Sequence, residues 1–290
     1  MKKTILIILQ LIFFSFCISA QNNYTIHGMI SDTSANGTPI CYVSIGIIGK
    51  NVGTVSNDSG IFKLSIPTQY LNDSITFSRI GYYSKLMNIG DLIKLKSINI
   101  NLVSKNTELG EVQVVAKGLT TKTIGNITKA KNVVMGISST TLGKEIGTVI
   151  HLPNEPVFLK DFNFYIVGNR PDSAKFRLNI YRYNKEIGEN LLKRNIYFSI
   201  PGRLLGDYAV DLRKYNISCA NDIFIAVEVI AVYSKGPDPN IKLDKFYYDR
   251  INVSGSVVRG SKSFNREVSL GQWEKTKYSF SPGFWITYFN

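Results

Sequence analysis

The residue types that most often carry out chemistry are scarce in this chain of 290 residues. It has two histidines, His27 and His151, and neither stands in a His-x-x-Glu or His-Glu-x-x-His pattern. A catalytic zinc needs His and carboxylate ligands with a carboxylate base, and a Ser or Cys nucleophile needs a nearby His. The sequence also lacks a Gly-x-Ser-x-Gly stretch and a phosphate-binding glycine motif. We therefore predict no catalytic residue, no metal and no cofactor.

One catalytic arrangement is compatible with so few histidines, because a pair of carboxylates can cleave a glycosidic bond without one. Glu228 with Asp211, or Glu267 with Glu274, is such a pair in the second half of the chain. That half holds fifteen acidic residues, so the pattern does not choose among them. A hydrolase acting through a carboxylate pair is therefore kept as an alternative to a non-catalytic protein.

Aromatic side chains beside hydrogen-bonding groups indicate a binding surface in the last sixth of the chain. Tyr247 and Tyr248 directly precede Asp249 and Arg250, and Trp273 lies in a loop-like stretch. Aromatic faces pack on the C–H patches of sugars while Asp and Arg bind hydroxyl groups. The alternative is that one ring of each pair belongs to the core. These five residues form the predicted ligand-binding site for a glycan or a protein.

The first twenty residues have the pattern of a secretory signal peptide. A basic start, Met1-Lys2-Lys3, is followed by an apolar run from Thr4 to Cys17 and by Ala20 at the predicted cleavage point. A lipoprotein acylated at Cys17 is the alternative, disfavoured by the bulky Phe16 before it. No later run reaches the ~20 apolar residues of a membrane-spanning helix. We predict an exported protein that is periplasmic, associated with the outer membrane or at the cell surface.

The two cysteines that follow the predicted signal peptide are expected to be free thiols. Cys41 lies in an apolar run, and Cys219 belongs to a separate half of the chain. An exported protein can form disulfides, but buried free cysteines behave as small apolar side chains. The spacing of these cysteines supports no metal site.

The net charge of +13 favours acidic partners. A basic stretch free of acids lies near the middle of the chain and contains Lys117, Lys122, Lys129 and Lys131. Nucleic acid is a poor partner for an exported chain, whereas acidic glycans and anionic lipid are accessible to it. Contacts to such a patch would weaken with salt.

A stretch rich in Thr and Gly divides the chain into two predicted domains. We place the first domain at residues 21–117, a linker at 118–131 and the second domain at 132–290. Residues 22–117 carry eight basic and six acidic side chains, whereas residues 118–290 carry 24 and 15. Both tryptophans also lie in the second half, so a binding surface is expected there.

The first domain reads as seven short strands. Residues 25–30, 39–48, 52–56, 61–66, 74–77, 97–102 and 111–115 show apolar runs or period-two alternation with turn residues between them. In the fourth of these, Phe62, Leu64 and Ile66 point to one face. Faces that alternate in this way must be buried against a second sheet, which predicts a β-sandwich.

An ordered series of motifs in this domain resembles the carboxypeptidase regulatory-like domain of Gram-negative bacteria, over roughly residues 24–116. The motifs are Gly28-x-Ile30, Asp32, Thr38-Pro39-Ile40, Val43-x-Ile45, Gly53-Thr54-x-Ser56-Asn57, Gly60-x-Phe62-x-Leu64, Ile75-x-Phe77-Ser78-x-Ile80-Gly81-Tyr82 and Leu109 to Val115. The resemblance implies a seven-stranded transthyretin-like sandwich. It implies no catalytic residue, because this domain accompanies enzymes and transporters without doing their chemistry. About 170 residues follow it, too few for the plug and barrel of a transporter.

The second domain shows longer strands and little helical spacing. In residues 174–181, Phe176, Leu178 and Ile180 share one face, whereas Lys175, Arg177 and Asn179 share the other. The run from Ile223 to Val232 is apolar on both faces and predicts a central strand. Eight or more strands indicate a jelly-roll-like sandwich, similar only in order and length to carbohydrate-binding modules.

These observations predict an all-β protein of two sandwiches that is exported and non-catalytic. Its partner is expected to be a glycan or an envelope protein, with no nucleic acid and no integral membrane segment after signal removal. Besides the hydrolase, the remaining alternative is a structural accessory subunit of an outer-membrane complex, whose edge strands pair with a neighbour.

Overall fold

A computed structural model describes residues 23–35, 37–105, 120–138, 141–234, 250–260, 262–276 and 279–290. These residues form two β-sandwiches with very little helix. The expectation of an all-β protein is confirmed. The predicted signal peptide, with Cys17 and Ala20, lies outside the described residues, as do Leu109 to Val115 and Lys117.

The first sandwich has seven strands in two sheets. The strands are β1 Asn23–Asp32, β2 Ser44–Gly46, β3 Gly53–Val55, β4 Ile61–Pro67, β5 Ser74–Ser78, β6 Lys85–Asn88 and β7 Ile98–Leu102. One sheet has the order β4-β1-β7, with β1 and β7 parallel, and the other has the order β3-β2-β5-β6. A 3-10 turn at Thr68–Tyr70 and a single helical turn, α1 at Ile89–Leu92, complete the domain. The predicted β-sandwich is confirmed over the described residues.

The period-two pattern of β4 places its apolar side chains between the two sheets. Phe62, Leu64 and Ile66 are buried, whereas the residues between them are exposed. Their partners across the core include Phe77, whose ring meets that of Phe62 edge-on at 5.7 Å. Gly60 precedes this strand with a φ of 73°, and a Cβ there would lie 2.6 Å from the carbonyl oxygen of Ile30. This turn therefore requires glycine for its conformation and for its space.

One strand of this sandwich differs from the sequence expectation. β6 at Lys85–Asn88 pairs with β5 although no strand is predicted there, while the predicted strand at 111–115 lies outside the described residues. β6 has no clean alternation of apolar and polar residues, because it is an edge strand with Leu86 exposed.

The second sandwich has fifteen strands in two sheets. The strands are β8 Thr121–Gly125, β9 Val134–Ser138, β10 Glu145–Ile150, β11 Val157–Asn169, β12 Ser173–Asn184, β13 Glu186–Asn190, β14 Ile196–Pro201, β15 Gly206–Asp211, β16 Ser218–Cys219, β17 Ile223–Tyr233, β18 Arg250–Val257, β19 Ser263–Arg266, β20 Glu274–Lys275, β21 Phe280–Pro282 and β22 Phe284–Phe289. A 3-10 turn lies at Arg213–Tyr215.

The two sheets of this sandwich enclose the larger core. A seven-stranded sheet runs β13-β12-β17-β10-β19-β20, with β14 also paired to β12. An eight-stranded sheet runs β21-β18-β11-β22-β8, with β15 and β16 on β11 and β9 on β18. Their inner faces bury a cluster that includes Phe162, Phe164, Phe176 and Phe284. Phe176, Leu178 and Ile180 all point into it, as predicted.

The predicted linker contains a strand. β8 at Thr121–Gly125 pairs antiparallel with β22, so that Trp285 lies opposite Gly125 and Phe289 opposite Thr121. The sequence gives no periodicity here because β8 is an edge strand whose residues are largely exposed. These five residues are part of the second sandwich.

The central strand β17 is buried on both faces, as its sequence predicts. It lies between β12 and β10, and its inner face contributes to the larger core. The outer face of the sheet is covered at one end by an aromatic cluster and at the other by the first sandwich. The two domains are therefore packed against each other through this face.

Two further expectations concern the whole chain. Cys41 and Cys219 are both free thiols, as predicted, and burial raises the pKa of Cys219 to about 11. Among the described residues, no helix is long and apolar enough to cross a membrane.

Candidate functional site

Trp273, the central residue of the predicted binding site, is half-buried in the aromatic cluster on the outer face of the seven-stranded sheet. Its ring meets Phe224 edge-on at 5.0 Å and Tyr181 at 5.9 Å. The guanidinium of Arg266 lies 4.6 Å from the ring centroid. The indole therefore has three protein partners, and a role in ligand binding stays a prediction.

Because of these contacts, we expect Trp273→Ala to destabilise the protein. Losing a half-buried indole should lower the free energy of unfolding by about 1–2 kcal/mol. Trp273→Phe should retain most of the wild-type stability. Urea denaturation measures both. An unchanged midpoint for Trp273→Ala would contradict the packing role and favour an open platform for a ligand.

Of the other four predicted residues, only Arg250 belongs to the described part of the chain. Tyr247, Tyr248 and Asp249 lie outside the described residues. Arg250 begins β18 and lines a separate open cleft of about 330 Å³ with Lys144. Trp273 does not line that cleft.

A buried guanidinium joins the two sandwiches. Arg177 donates from Nε to Glu228 Oε2 at 2.8 Å, from Nη1 to the carbonyl oxygen of Tyr42 at 2.9 Å and from Nη2 to Ser44 Oγ at 2.6 Å. Its side chain is 5% exposed and that of Glu228 is 0% exposed. Burial opposes the charge of Arg177, but the attraction of Glu228, Tyr197 and Glu145 and the hydrogen bond to Glu228 together outweigh it, so the pKa of Arg177 is raised.

A second buried ion pair lies directly beside the first. Glu145 is opposite Glu228 in the β10–β17 register and pairs with Arg266, which donates to it from Nε at 2.8 Å. Asn179 Nδ2 donates to both carboxylates, at 2.9 and 3.1 Å. Burial raises the pKa of Glu145, and the charge of Arg266 opposes that effect. The polar face predicted for β12 is therefore buried, and its Arg177 and Asn179 side chains have hydrogen-bond partners there.

Contacts around Arg177 extend the same interface, which we call the inter-sandwich interface. Lys175 Nζ donates to the Tyr42 hydroxyl at 2.9 Å, and the backbone N–H of Gly49 donates to the carbonyl oxygen of Leu270 at 3.0 Å. The Tyr42 ring is buried and packs with Ile230. Polar and apolar contacts together fix the first sandwich on the second.

The described contacts do not bring the two members of either predicted carboxylate pair together. Glu228 lies opposite Glu145 on the neighbouring strand and not beside Asp211. Both of these Glu side chains are fully buried and have protein partners. Asp211 lies on the other sheet, where a hydrogen bond from the Arg213 side chain lowers its pKa to about 2. A carboxyl held ionised in this way is a poor general acid at neutral pH.

In the other predicted pair, one carboxylate has a protein partner and the other is exposed. Glu267 Oε2 lies 2.9 Å from Lys144 Nζ, and Glu274 is exposed on β20. Within the described ranges, no group of three or more His, Cys, Asp or Glu side chains is placed to hold a metal ion.

A polar cleft of about 490 Å³, here called the loop-end cleft, lies at one end of the second sandwich. The β12–β13 hairpin supplies residues 182–185, and the connection from β16 to β17 supplies residues 220–222. Asn154 and Lys262 complete the lining. Loops carried by a packed sandwich often form binding sites, since the sheets hold them in place.

Backbone hydrogen bonds hold these loops together. Asn221 N donates to the carbonyl oxygen of Pro153 at 2.8 Å, and Tyr183 N donates to that of Asp222 at 3.2 Å. Asn221 and Lys185 have φ values of 63° and 62°, in the left-handed region that non-glycine residues rarely adopt. The surrounding contacts stabilise this conformation and fix the position of the loops.

Charged side chains line the cleft. The His151 ring nitrogen Nδ1 lies 2.8 Å from Asp222 Oδ2, and the Lys262 ammonium lies 5.5 Å from the Tyr183 ring centroid. Arg182 is paired with Glu189 at 3.0 Å on the exposed side. The cleft thus presents cations, a carboxylate and amides in one place.

Turn residues are the only sequence signal for this cleft. Pro153-Asn154, Asn184-Lys185 and Asn221-Asp222 each favour a turn. Strand pairing between distant segments decides which turns meet at one end of the sandwich. Local sequence patterns therefore do not predict that these three turns are neighbours.

The basic stretch predicted near the linker is partly neutralised. Lys129 Nζ lies 2.7 Å from Asp207 Oδ2 and 5.7 Å from the Tyr165 ring centroid. Lys122 lies on β8, whereas Lys131 follows that strand.

Comparison with known proteins identifies the first sandwich. Residues 26–115 match the model of the CarboxypepD_reg-like domain family, which confirms the resemblance found in the sequence motifs. The match covers less than half of the chain and leaves the second sandwich unassigned. No curated protein matches the chain at a significant level.

Similar solved structures include three of infectious bursal disease virus. Its VP2 subviral particle is 10% identical, covering 92% of this chain and 78% of that chain, with a TM-score of 0.26. The Gt strain structure has the same identity and coverage and a TM-score of 0.24. The virus-derived T=1 particle is 9% identical, covering 92% and 72%, with a TM-score of 0.23. TM-scores this low support no conclusion about fold or function.

Proposed function

We propose that this protein is an exported, non-catalytic binding protein of the cell envelope that holds a saccharide in the loop-end cleft. The observation that carries this proposal is the concentration of amide and charged side chains in that one cleft. The first sandwich acts as a fixed support. This role agrees with its match to a non-catalytic binding or regulatory module.

The lining of the cleft suits a hydroxylated ligand. Asn154, Asn184 and Asn221 each offer both donors and an acceptor, as a sugar hydroxyl does. Among the described lining residues, Ala220 alone is aliphatic. A volume of about 490 Å³ falls within the ~300–1,000 Å³ typical of small-ligand sites. An apolar ligand would leave these polar groups without partners, which is costly.

Removing two of these amides tests the proposal. Asn154 and Asn184 are exposed, so the double variant Asn154→Ala/Asn184→Ala should fold normally. We expect it to lose roughly tenfold or more in affinity for the polysaccharide that wild type retains, since each lost hydrogen bond is worth ~0.5–1.5 kcal/mol. Affinity electrophoresis against a panel of immobilised polysaccharides measures this.

Asn99→Ala is the matched control, because Asn99 is exposed on β7 of the first sandwich. Equal retention of the double variant and wild type would contradict the location of the site. Failure of wild type to bind any polysaccharide would contradict the saccharide itself. That second result would favour the accessory-subunit alternative, for which the edge strand β6 with Leu86 66% exposed offers a pairing edge.

A further inference from the structure

A second cavity adjoins the loop-end cleft. It has a volume of about 460 Å³ and lies beside β8, β10 and the residues after β18. Lys262 and the His151–Asp222 pair connect the two spaces: Lys262 lines both, Asp222 lines the cleft and His151 lines the second cavity. The two spaces therefore adjoin at Lys262 and at the His151–Asp222 pair.

The two cavities together are strongly cationic. Lys185, Arg259 and Lys262 have no carboxylate within ion-pair distance in the described part of the chain. The one acidic lining residue, Asp222, is already paired with His151. Unpaired cations around a cleft raise the local concentration of anions.

The second cavity offers both aliphatic surface and hydrogen-bond donors. Ile124 and Val258 supply aliphatic surface, and Arg259 and Lys262 supply donors. The Asn126 amide and the buried Thr148 hydroxyl are already bonded within the protein. A sugar ring has apolar C–H faces and a polar edge, so both kinds of group can contact it.

From this geometry we propose that the ligand is an acidic saccharide whose carboxylates meet Lys262 and Arg259 and whose chain spans both cavities. This inference rests on the proposed function, since it assigns the charge class of the same ligand. The saccharide lies with one unit in the loop-end cleft and the next in the second cavity. Lys262 is at the junction, where it contacts the acidic group between them.

Calorimetry with a matched pair of probes tests the charge. Tetragalacturonate carries a carboxylate on each unit, and its methyl ester has the same ring skeleton without charge. We expect wild type to bind the acid roughly tenfold more tightly than the ester, with affinity for the acid falling as salt is added. Lys262→Gln should lose that preference while keeping its affinity for the ester.

Two further variants locate the ligand. Arg259→Gln removes a cation of the second cavity, so it should also weaken binding of the acid. Lys275→Gln is the control, because Lys275 is an exposed lysine on β20 that lines neither cavity. Unchanged binding by Arg259→Gln would overturn the two-cavity placement.

The outcomes separate this inference from the function it rests on. Equal affinity for acid and ester overturns the acidic assignment and leaves saccharide binding intact. Binding of neither probe, nor of any polysaccharide in the panel, overturns both. Displacement of tetragalacturonate by inorganic phosphate at equal charge concentration would identify a simple anion site and overturn the saccharide assignment.

Discussion

Arg177→Met is expected to lower the free energy of unfolding by about 3–5 kcal/mol, the cost of leaving a buried charge without its partner. Glu228 is fully buried and would keep only the hydrogen bonds from Asn179 and Ser269. The same substitution removes the two hydrogen bonds to Tyr42 and Ser44 of the first sandwich. Urea denaturation followed by circular dichroism gives the measurement.

A second substitution, at Glu228, distinguishes the cost of an unpaired buried charge from simple loss of packing. Arg177→Met/Glu228→Gln should recover a large part of the stability, because no uncompensated charge is then buried while Gln still accepts hydrogen bonds. Arg213→Met, which removes an exposed cation paired with Asp211, should change stability little. A double variant no more stable than Arg177→Met would show that the buried carboxylate is not the source of the cost.

Gly53→Ala should destabilise the inter-sandwich interface by roughly 1–3 kcal/mol, as expected for overpacking. A Cβ at Gly53 would collide with the carbonyl oxygen of Ser269 in the second sandwich and lie 2.9 Å from that of Ile45. Both neighbours are backbone atoms, so the clash is relieved only by moving β3 or the loop before β20. Limited proteolysis of the folded protein should show faster cleavage between the domains.

Gly188→Ala controls for the loss of glycine itself. Gly188 is also in a strand, and a Cβ there would be 3.4 Å from its nearest neighbour, the carbonyl oxygen of Arg182. We expect stability within about 0.5 kcal/mol of wild type, as for an ordinary surface substitution. If Gly53→Ala behaves like Gly188→Ala, the two sandwiches do not approach each other as closely as described.

The first sandwich could be predicted from sequence because its signals are local. Alternation in β4 and the turn at Gly60 are each read within a few residues, and the ordered motifs strengthen them. β6 could not be predicted, because an edge strand with mixed burial carries no alternating pattern. Predictions at 111–115 remain expectations, since these residues are not described.

Packing between the domains could be predicted less well. The alternation in β12 places Arg177 and Asn179 on its polar face but does not show that they are buried, which follows from the first sandwich and the β19 segment covering them. One signal was available: Glu228 stands in the middle of an apolar run, and a charge in a buried strand requires a partner. The partner's identity depends on strand register, which single-sequence patterns do not give.

In the candidate site too, residue types could be predicted from the sequence but contacts between distant segments could not. Trp273 was identified by its residue type, and its neighbours Phe224 and Arg266 come from distant strands. The loop-end cleft was missed because its loops are up to about a hundred residues apart in sequence and are joined by contacts such as Asn221 to Pro153 that no local pattern indicates.

The guanidinium of Arg177 has a mechanical consequence. Three of its donors are divided between the two domains, so any rotation of one sandwich against the other has to break buried hydrogen bonds. A tether attached to the first sandwich would hold the mouth of the loop-end cleft at a constant angle. Separating the first sandwich from the second would expose Arg177, Tyr42 and Ile230 to water, although they are buried in the intact chain.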